Sequence, residues 1–94
     1  MRKLEEKELK QALEKLPGWR LDDGKLLHYF SFADFKAAMA FVNRVAEAAE
    51  SAGHHPDIDI HYNKVRLWLV THDAGGITAK DVEMAGKLCH IPKK

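Results

Sequence analysis

The sequence predicts a two-layer α+β fold: one four-stranded antiparallel sheet with three helices on one face, in the order α-β-β-α-β-β-α. Three observations carry this expectation. Apolar residues recur at helical spacing in three separated stretches. Two pairs of short, alternating strand-like runs fill the gaps between them. A tight-turn signal sits inside each pair, so each pair reads as a hairpin.

Arg2 to Leu16 reads as an amphipathic helix with Leu4, Leu9, Ala12, Leu13 and Leu16 on one broad face, and Pro17-Gly18 ends it. Trp19 to Leu21 and Lys25 to Phe32 form a hairpin around Asp22-Asp23-Gly24. In its second strand Leu27, Tyr29 and Ser31 face one way, with Leu26, His28 and Phe30 opposite. Ser31-Phe32-Ala33-Asp34 resembles a capping box with Asp in place of Glu. A long helix follows to Ala52. Its apolar stripe is Phe35, Ala38, Met39, Val42, Val45, Ala46 and Ala49, widened by Phe41 and Ala48. That is more apolar surface than one sheet face needs, which points to a contact between subunits.

In the second half, Ile58 to Tyr62 alternates with Asp57, Asp59 and His61 as a third strand, and Asn63-Lys64 makes a tight turn. Val65 to Thr71 is the fourth strand, with Val65, Leu67 and Leu69 on one face and Arg66, Trp68 and Val70 on the other. Asp73 to Gly76 is a loop. Thr78-Ala79-Lys80-Asp81 resembles a second capping box. The last helix carries Val82, Ala85, Leu88 and Cys89, and Pro92 closes it.

Ninety-four residues are expected to make one domain spanning 1–94. A chain this short buries only about two-thirds of its unfolded surface. Part of its apolar surface is therefore expected between subunits of a homodimer or homotetramer, closed by two-fold symmetry. The hydrophobic fraction of 46% is too high for disorder, and a net charge of +1 sets up no field that would collect nucleic acid or a membrane surface. The single cysteine, Cys89, cannot form an internal disulfide; it reads as core or near-core and fits a cytoplasmic, reducing setting. Met1 to Lys15 alternates charge without an apolar core, so no signal peptide is expected, and nothing approaches the length of a membrane span.

The chemistry lies in the histidines. Taken singly, each of the six is most simply a surface or packing residue. Three stand where elements end: His54-His55-Pro56 after the long helix, and His72 at the end of the fourth strand. Pro56 disfavours helical backbone at His55, and Gly53 suits a left-handed helix cap, so the histidine pair occupies a stiff corner. The hairpin of strands three and four brings Pro56 and Ile58 near Thr71 and His72. All three histidines can then converge on one end of the sheet. Histidine gives and takes protons near neutral pH, so such a cluster suits acid–base work. Glu50 lies one helical turn before His54 and could touch its imidazole. There is no glycine-rich phosphate loop and no nucleophile elbow, and Cys89 lies on the wrong element to pair with the histidines. The competing reading is a zinc site using the three histidines with Asp57 or Asp73. Adjacent histidines in extended chain point apart, however, and both rarely ligate one ion.

These residues also resemble a known family. An acidic residue, three positions, then His-His-Pro, a Tyr, a later His and then an Asp are matched by Glu50, His54-His55-Pro56, Tyr62, His72 and Asp81. Gly18-Trp19, the Phe30-x-Phe32-x-x-Phe35 run, Tyr62-Asn63-Lys64-Val65 and Thr71-His72-Asp73 extend the likeness over nearly the whole chain. The sequence resembles the pterin-4a-carbinolamine dehydratases. Gly53 stands where many relatives have Asn.

The resemblance implies dehydration of a 4a-hydroxytetrahydropterin to quinonoid dihydropterin and water, with no cofactor and no metal. By position, His54 and His72 would transfer protons, and His55 would mainly hold the pterin with some share in catalysis. Pro56 would contribute to the pterin site, and Thr71, His72, Asp73 and Ala74 would line the ring through backbone groups. Glu50 would orient a histidine. Asp81 would cap the last helix, or make a polar contact near the site. Some relatives also stabilise the dimer of a homeodomain transcription factor, so a non-enzymatic protein-binding module is the alternative function; direct nucleic-acid contact is not expected. Microbial relatives suggest a third possibility, support of a molybdopterin-related pathway.

Overall fold

The computed structural model describes residues 2–91. Its elements follow the expected order: α1 (Glu6–Leu13), β1 (Arg20–Asp22), β2 (Lys25–Ser31), α2 (Phe35–Ala52), β3 (Asp57–His61), β4 (Lys64–Leu69) and α3 (Ala79–Cys89), with a single 3₁₀ turn at His72–Ala74. The strands form one antiparallel sheet in the order β1-β2-β4-β3. The two hairpins therefore meet through a non-local pairing of β2 with β4, Leu26 opposite Leu69 and Phe30 opposite Val65.

Alternation decides which face each strand buries. Leu26, Phe30, Val65, Leu67 and Leu69 point to the helical layer and are at most 5% exposed. They meet Ala38, Phe41, Val45 and Ala49 of α2 and Met84, Ala85 and Leu88 of α3 in one cluster, with Leu9, Leu13 and Cys89 packed at its margin. On the other face Arg66 pairs with Asp59 and lies 4.9 Å from the ring centre of Trp68, while Arg20 lies 5.0 Å from that of Tyr29. Stacked guanidinium and aromatic groups thus cover a sheet face that the helices leave open, and Trp68 and Val70 are half-buried there rather than bare.

Several boundaries differ from the sequence expectation, each for a physical reason. The first helix starts at Glu6, not Arg2. The backbone before it is extended, with Lys3 bridging to Thr78 and the Leu4 amide donating to the Ile77 carbonyl at 2.8 Å. Glu5 caps α1, its amide donating to the Glu8 carboxylate at 2.9 Å, and Arg2 grips that carboxylate with two bonds. Arg2, helped by the Glu5 amide, holds the Glu8 carboxyl down at about 2. The cap of α2 is Asp34, which accepts from the Ala37 amide at 2.8 Å. Ser31 is paired with Lys64 inside the sheet and is not free to cap. The second hairpin turns at Tyr62-Asn63 rather than Asn63-Lys64, because His61 pairs with Lys64. Asn63 is pinned there: its carbonyl accepts from the Phe32 amide, and its side-chain amide donates to the Phe32 carbonyl at 2.8 Å. In the first hairpin Asp23 and Gly24 both have positive φ, 50° and 77°, as a type I′ turn requires. The fourth strand ends at Leu69, and Thr71 instead bridges to Gly76. Pro92 lies outside the described residues.

The stripe on α2 also divides. Ala38, Phe41, Val45 and Ala49 face the core, whereas Phe35 is 50% exposed and Ala46 is exposed. Phe41 is completely buried where rings of β2 and α2 meet, its centroid 4.6 Å from that of Phe30 and 5.1 Å from that of Phe32. Truncating it leaves a cavity that those rings cannot close. Phe41→Ala is expected to destabilise the fold by about 3–5 kcal/mol. In urea titration this appears as a lower midpoint with an unchanged slope. A loss below about 1 kcal/mol would contradict the placement of Phe41 at the centre of the core.

Candidate active site

The end of α2 sets the direction of the histidine pair. Gly53 takes the left-handed conformation at φ 66°, its amide donates to the Glu50 carbonyl, and the His54 amide donates to the Ala49 carbonyl at 3.2 Å. These two bonds are a Schellman motif. The chain leaves it extended through Pro56 into β3. On the facing strand, the register Asp57–Trp68 carried outward brings His54 and His55 level with Val70 and Thr71. Beyond Thr71 the 3₁₀ turn, closed by the Thr71–Gly76 bridge, presents His72 and Asp73.

These segments surround a cavity of about 380 Å³ lined by His54, His55, Thr71, His72 and Asp73, with Gly53, Val70 and Lys80 completing the wall. That volume falls within the range of small-molecule sites, about 300–1,000 Å³. The lining does not include Pro56 or Ala74. Val70 and Lys80 had no sequence signal as lining residues. Lys80 precedes the capping Asp81, but its direction depends on how α3 meets the end of β4, which local patterning does not specify.

The carboxylates pair differently from the spacing argument. Glu50 meets His55, not His54: its Oε2 lies 2.5 Å from His55 Nε2, and both side chains are well exposed, 78% and 61%. Left-handed Gly53 turns the chain between Glu50 and His54, so the helical one-turn rule stops applying. His54 is held instead by Asp81, whose Oδ1 lies 2.5 Å from His54 Nε2. Asp81 is completely buried and His54 nearly so, at 13%. The other Asp81 oxygen accepts from the Thr78 amide and the Thr71 hydroxyl, both at 2.8 Å. Thr71 spends its proton on Asp81, so the 2.8 Å contact between the two threonine hydroxyls is donated by Thr78. The two readings of Asp81 are thus both present in one residue. It completes the capping box of α3, and it touches a cavity histidine.

This network fixes a tautomer. A carboxylate that accepts from two donors at Oδ2 accepts from His54 at Oδ1, so Nε2 carries the proton. Nδ1 of the neutral ring is then an acceptor, and no protein partner holds it among the described residues. The arrangement can take a proton from something in the cavity while the imidazolium that forms stays beside a fixed carboxylate. Among the described residues, no group of three or more His, Cys, Asp or Glu side chains is arranged to hold a metal ion.

Fold and cavity together define a small two-layer α+β protein with a histidine-lined cleft at one sheet end. The family model for pterin 4 alpha carbinolamine dehydratase matches residues 2–91. The chain belongs to this family. A relative from Acidobacterium capsulatum, provisionally named a pterin-4-alpha-carbinolamine dehydratase, is 54% identical over 94% of this chain and 96% of its own. One from Gloeobacter violaceus with the same provisional name, numbered 2, is 53% identical over 94% of this chain and all of its own. The crystal structure of a transcriptional coactivator/pterin dehydratase from Brucella melitensis superposes with a TM-score of 0.89 at 37% identity, covering 94% of this chain and 96% of that one. A pterin dehydratase-like RuBisCO assembly factor of the alpha-carboxysome shares the fold at a TM-score of 0.63 and 23% identity, over 76% of this chain and 84% of its own.

The Asp81 contact makes a direct spectroscopic prediction. With the ring neutral, imidazole ¹⁵N shifts should identify His54 as the Nε2–H tautomer. Asp81→Asn should move the proton towards Nδ1, because an amide NH₂ can donate to Nε2. If the tautomer stays the same in Asp81→Asn, His54 is not held by Asp81.

Proposed function

We propose that this chain dehydrates 4a-hydroxytetrahydropterins to quinonoid dihydropterin and water. The observation that carries the reading is His54, held by the buried Asp81 and sharing one cavity with His72, in a chain of the dehydratase family. The reaction breaks the C4a–O bond and the N5–H bond and forms a C4a=N5 double bond. The hydroxyl leaves as water with a proton from an acid, and N5 gives its proton to a base. His54 Nδ1 suits the base, since Nε2–H is already committed to Asp81. His72, on the exposed 3₁₀ turn, suits the acid at the departing hydroxyl. His55, steadied by Glu50, would hold the ring from the other side, and the groups of Thr71 and Asp73 would meet its edge. Recycling of the pterin used by aromatic amino acid hydroxylases, in the cytoplasm, is the setting that fits this chemistry.

The exposed apolar surface supports a homo-oligomer. Phe35, Met39 and Ala46 run along the outer side of α2, and Ile58 is 39% exposed on the edge strand β3. Such a stripe and an open strand edge are the surfaces that two-fold assembly covers. The Brucella melitensis protein is described as a transcriptional coactivator as well as a pterin dehydratase, so the same surface is the natural place to look for a protein partner.

Freshly generated 4a-hydroxytetrahydropterin should lose its characteristic absorbance faster with the protein than without it. His54→Ala and His72→Ala should each slow turnover by about 10²-fold or less, and the double variant should lose nearly all of it. Turnover at the spontaneous rate in the unaltered protein would end the proposal. Light scattering at micromolar concentration should give twice or four times the 10.7 kDa of one chain; a monomer mass refutes the assembly.

A further inference from the structure

A second cavity, of about 260 Å³, adjoins the first, and His54 and Lys80 line both. Its remaining wall includes Glu83 and Lys87. Lys80, Glu83 and Lys87 follow one another at i, i+3 and i+7 on α3, so they share one helix face. Glu83 and Lys87 are spaced for an ion pair, yet neither lysine forms one among the described residues. Within its lining, two ammonium groups stand against one carboxylate, beside the histidine whose own partner is the buried Asp81.

We infer that the second cavity receives the C6 side chain of the pterin and favours one ending in an anionic group, a phosphate or a carboxylate. This rests on the dehydratase reading. C6 is bonded to N5. If N5 gives its proton to His54, the C6 substituent starts beside His54, which is the wall shared by the two chambers. The tail then passes Lys80 and runs towards Lys87. Two ammonium groups on one helix face attract an anion, whereas a neutral hydroxyl accepts a hydrogen bond from either lysine without that added charge attraction. Glu83 works against the anion, so its charge tunes the preference downwards.

The test compares three oxidised, stable pterins by fluorescence titration: 6-hydroxymethylpterin, its phosphate ester, and pterin-6-carboxylate. At low ionic strength an anionic tail should tighten Kd by about tenfold over the hydroxymethyl compound, and 1 M salt, with a screening length of about 3 Å, should shrink the gain. Lys87→Gln should bring the ratio of Kd values towards one, and Glu83→Gln should widen it. Opposite movements in two exposed positions of one helix are not the result of a misfolded helix. A gain with the phosphate ester alone supports a phosphate-bearing tail, and a gain with both, or with the carboxylate alone, supports a carboxylate-tolerant site. Neutral and anionic pterins binding equally overturns the inference and leaves the dehydratase reading standing. No binding of any of the three overturns the inference, and the turnover assay decides the dehydratase reading separately.

Discussion

A buried carboxylate has to be satisfied on every side, and Asp81 is satisfied by three different parts of the chain. The Thr78 amide belongs to the start of α3, the Thr71 hydroxyl to the segment leaving β4, and the His54 imidazole to the corner after α2. Leaving one of these donors out would leave a buried carboxylate lone pair unsatisfied, which costs about 1–3 kcal/mol. The same ion therefore fixes the helix start, the strand exit and the ring. It also explains why His54 is nearly enclosed while His55 and His72 stay exposed. The ring that faces the buried carboxylate is enclosed with it, whereas the Glu50 carboxylate facing His55 is itself exposed and His72 lies on the open 3₁₀ turn.

Most of the architecture was legible because it is written in periodicity. The alternation of Val65, Leu67 and Leu69 predicted the buried face of β4, and Asp23-Gly24 announced the first turn. The capping box Thr78–Asp81 was readable as a pattern of residue types. What was not readable depended on contacts between elements. The extended start of the chain is imposed by Ile77 and Thr78, far away in sequence, so Arg2 to Glu5 carried a helical pattern they do not adopt. Phe35 and Ala46 have the same apolar character as Phe41 and Ala49, and only the angle at which α2 crosses the sheet tells the inner row from the outer.

The cluster of histidines was visible for the same reason and limited in the same way. Gly53 and Pro56 mark the corner, and hairpin register brings it beside Thr71. The partner of each ring was not visible. Glu50 is one turn from His54 by counting, but a left-handed residue between them hands it to His55. Asp81 is 27 positions from His54 and reaches it only once α3 has docked. Lys80 follows the same logic, because its place on the wall is a consequence of that docking.

The pairing of β2 with β4 has a consequence for how the chain reaches this state. It closes a loop that holds all of α2 and β3 between its two strands. Local pieces, the two hairpins and the long helix, can form early, since closing short loops costs little entropy. The central pairing waits until they are joined, and contacts between distant residues are what slow a small α/β chain. The Asp81–His54 contact also needs α3 docked on that completed sheet. A ring positioned this way is a late product of assembly. Partly folded forms that already have the sheet and the long helix but no docked α3 lack an oriented His54, so the held ring is a property of the finished molecule alone.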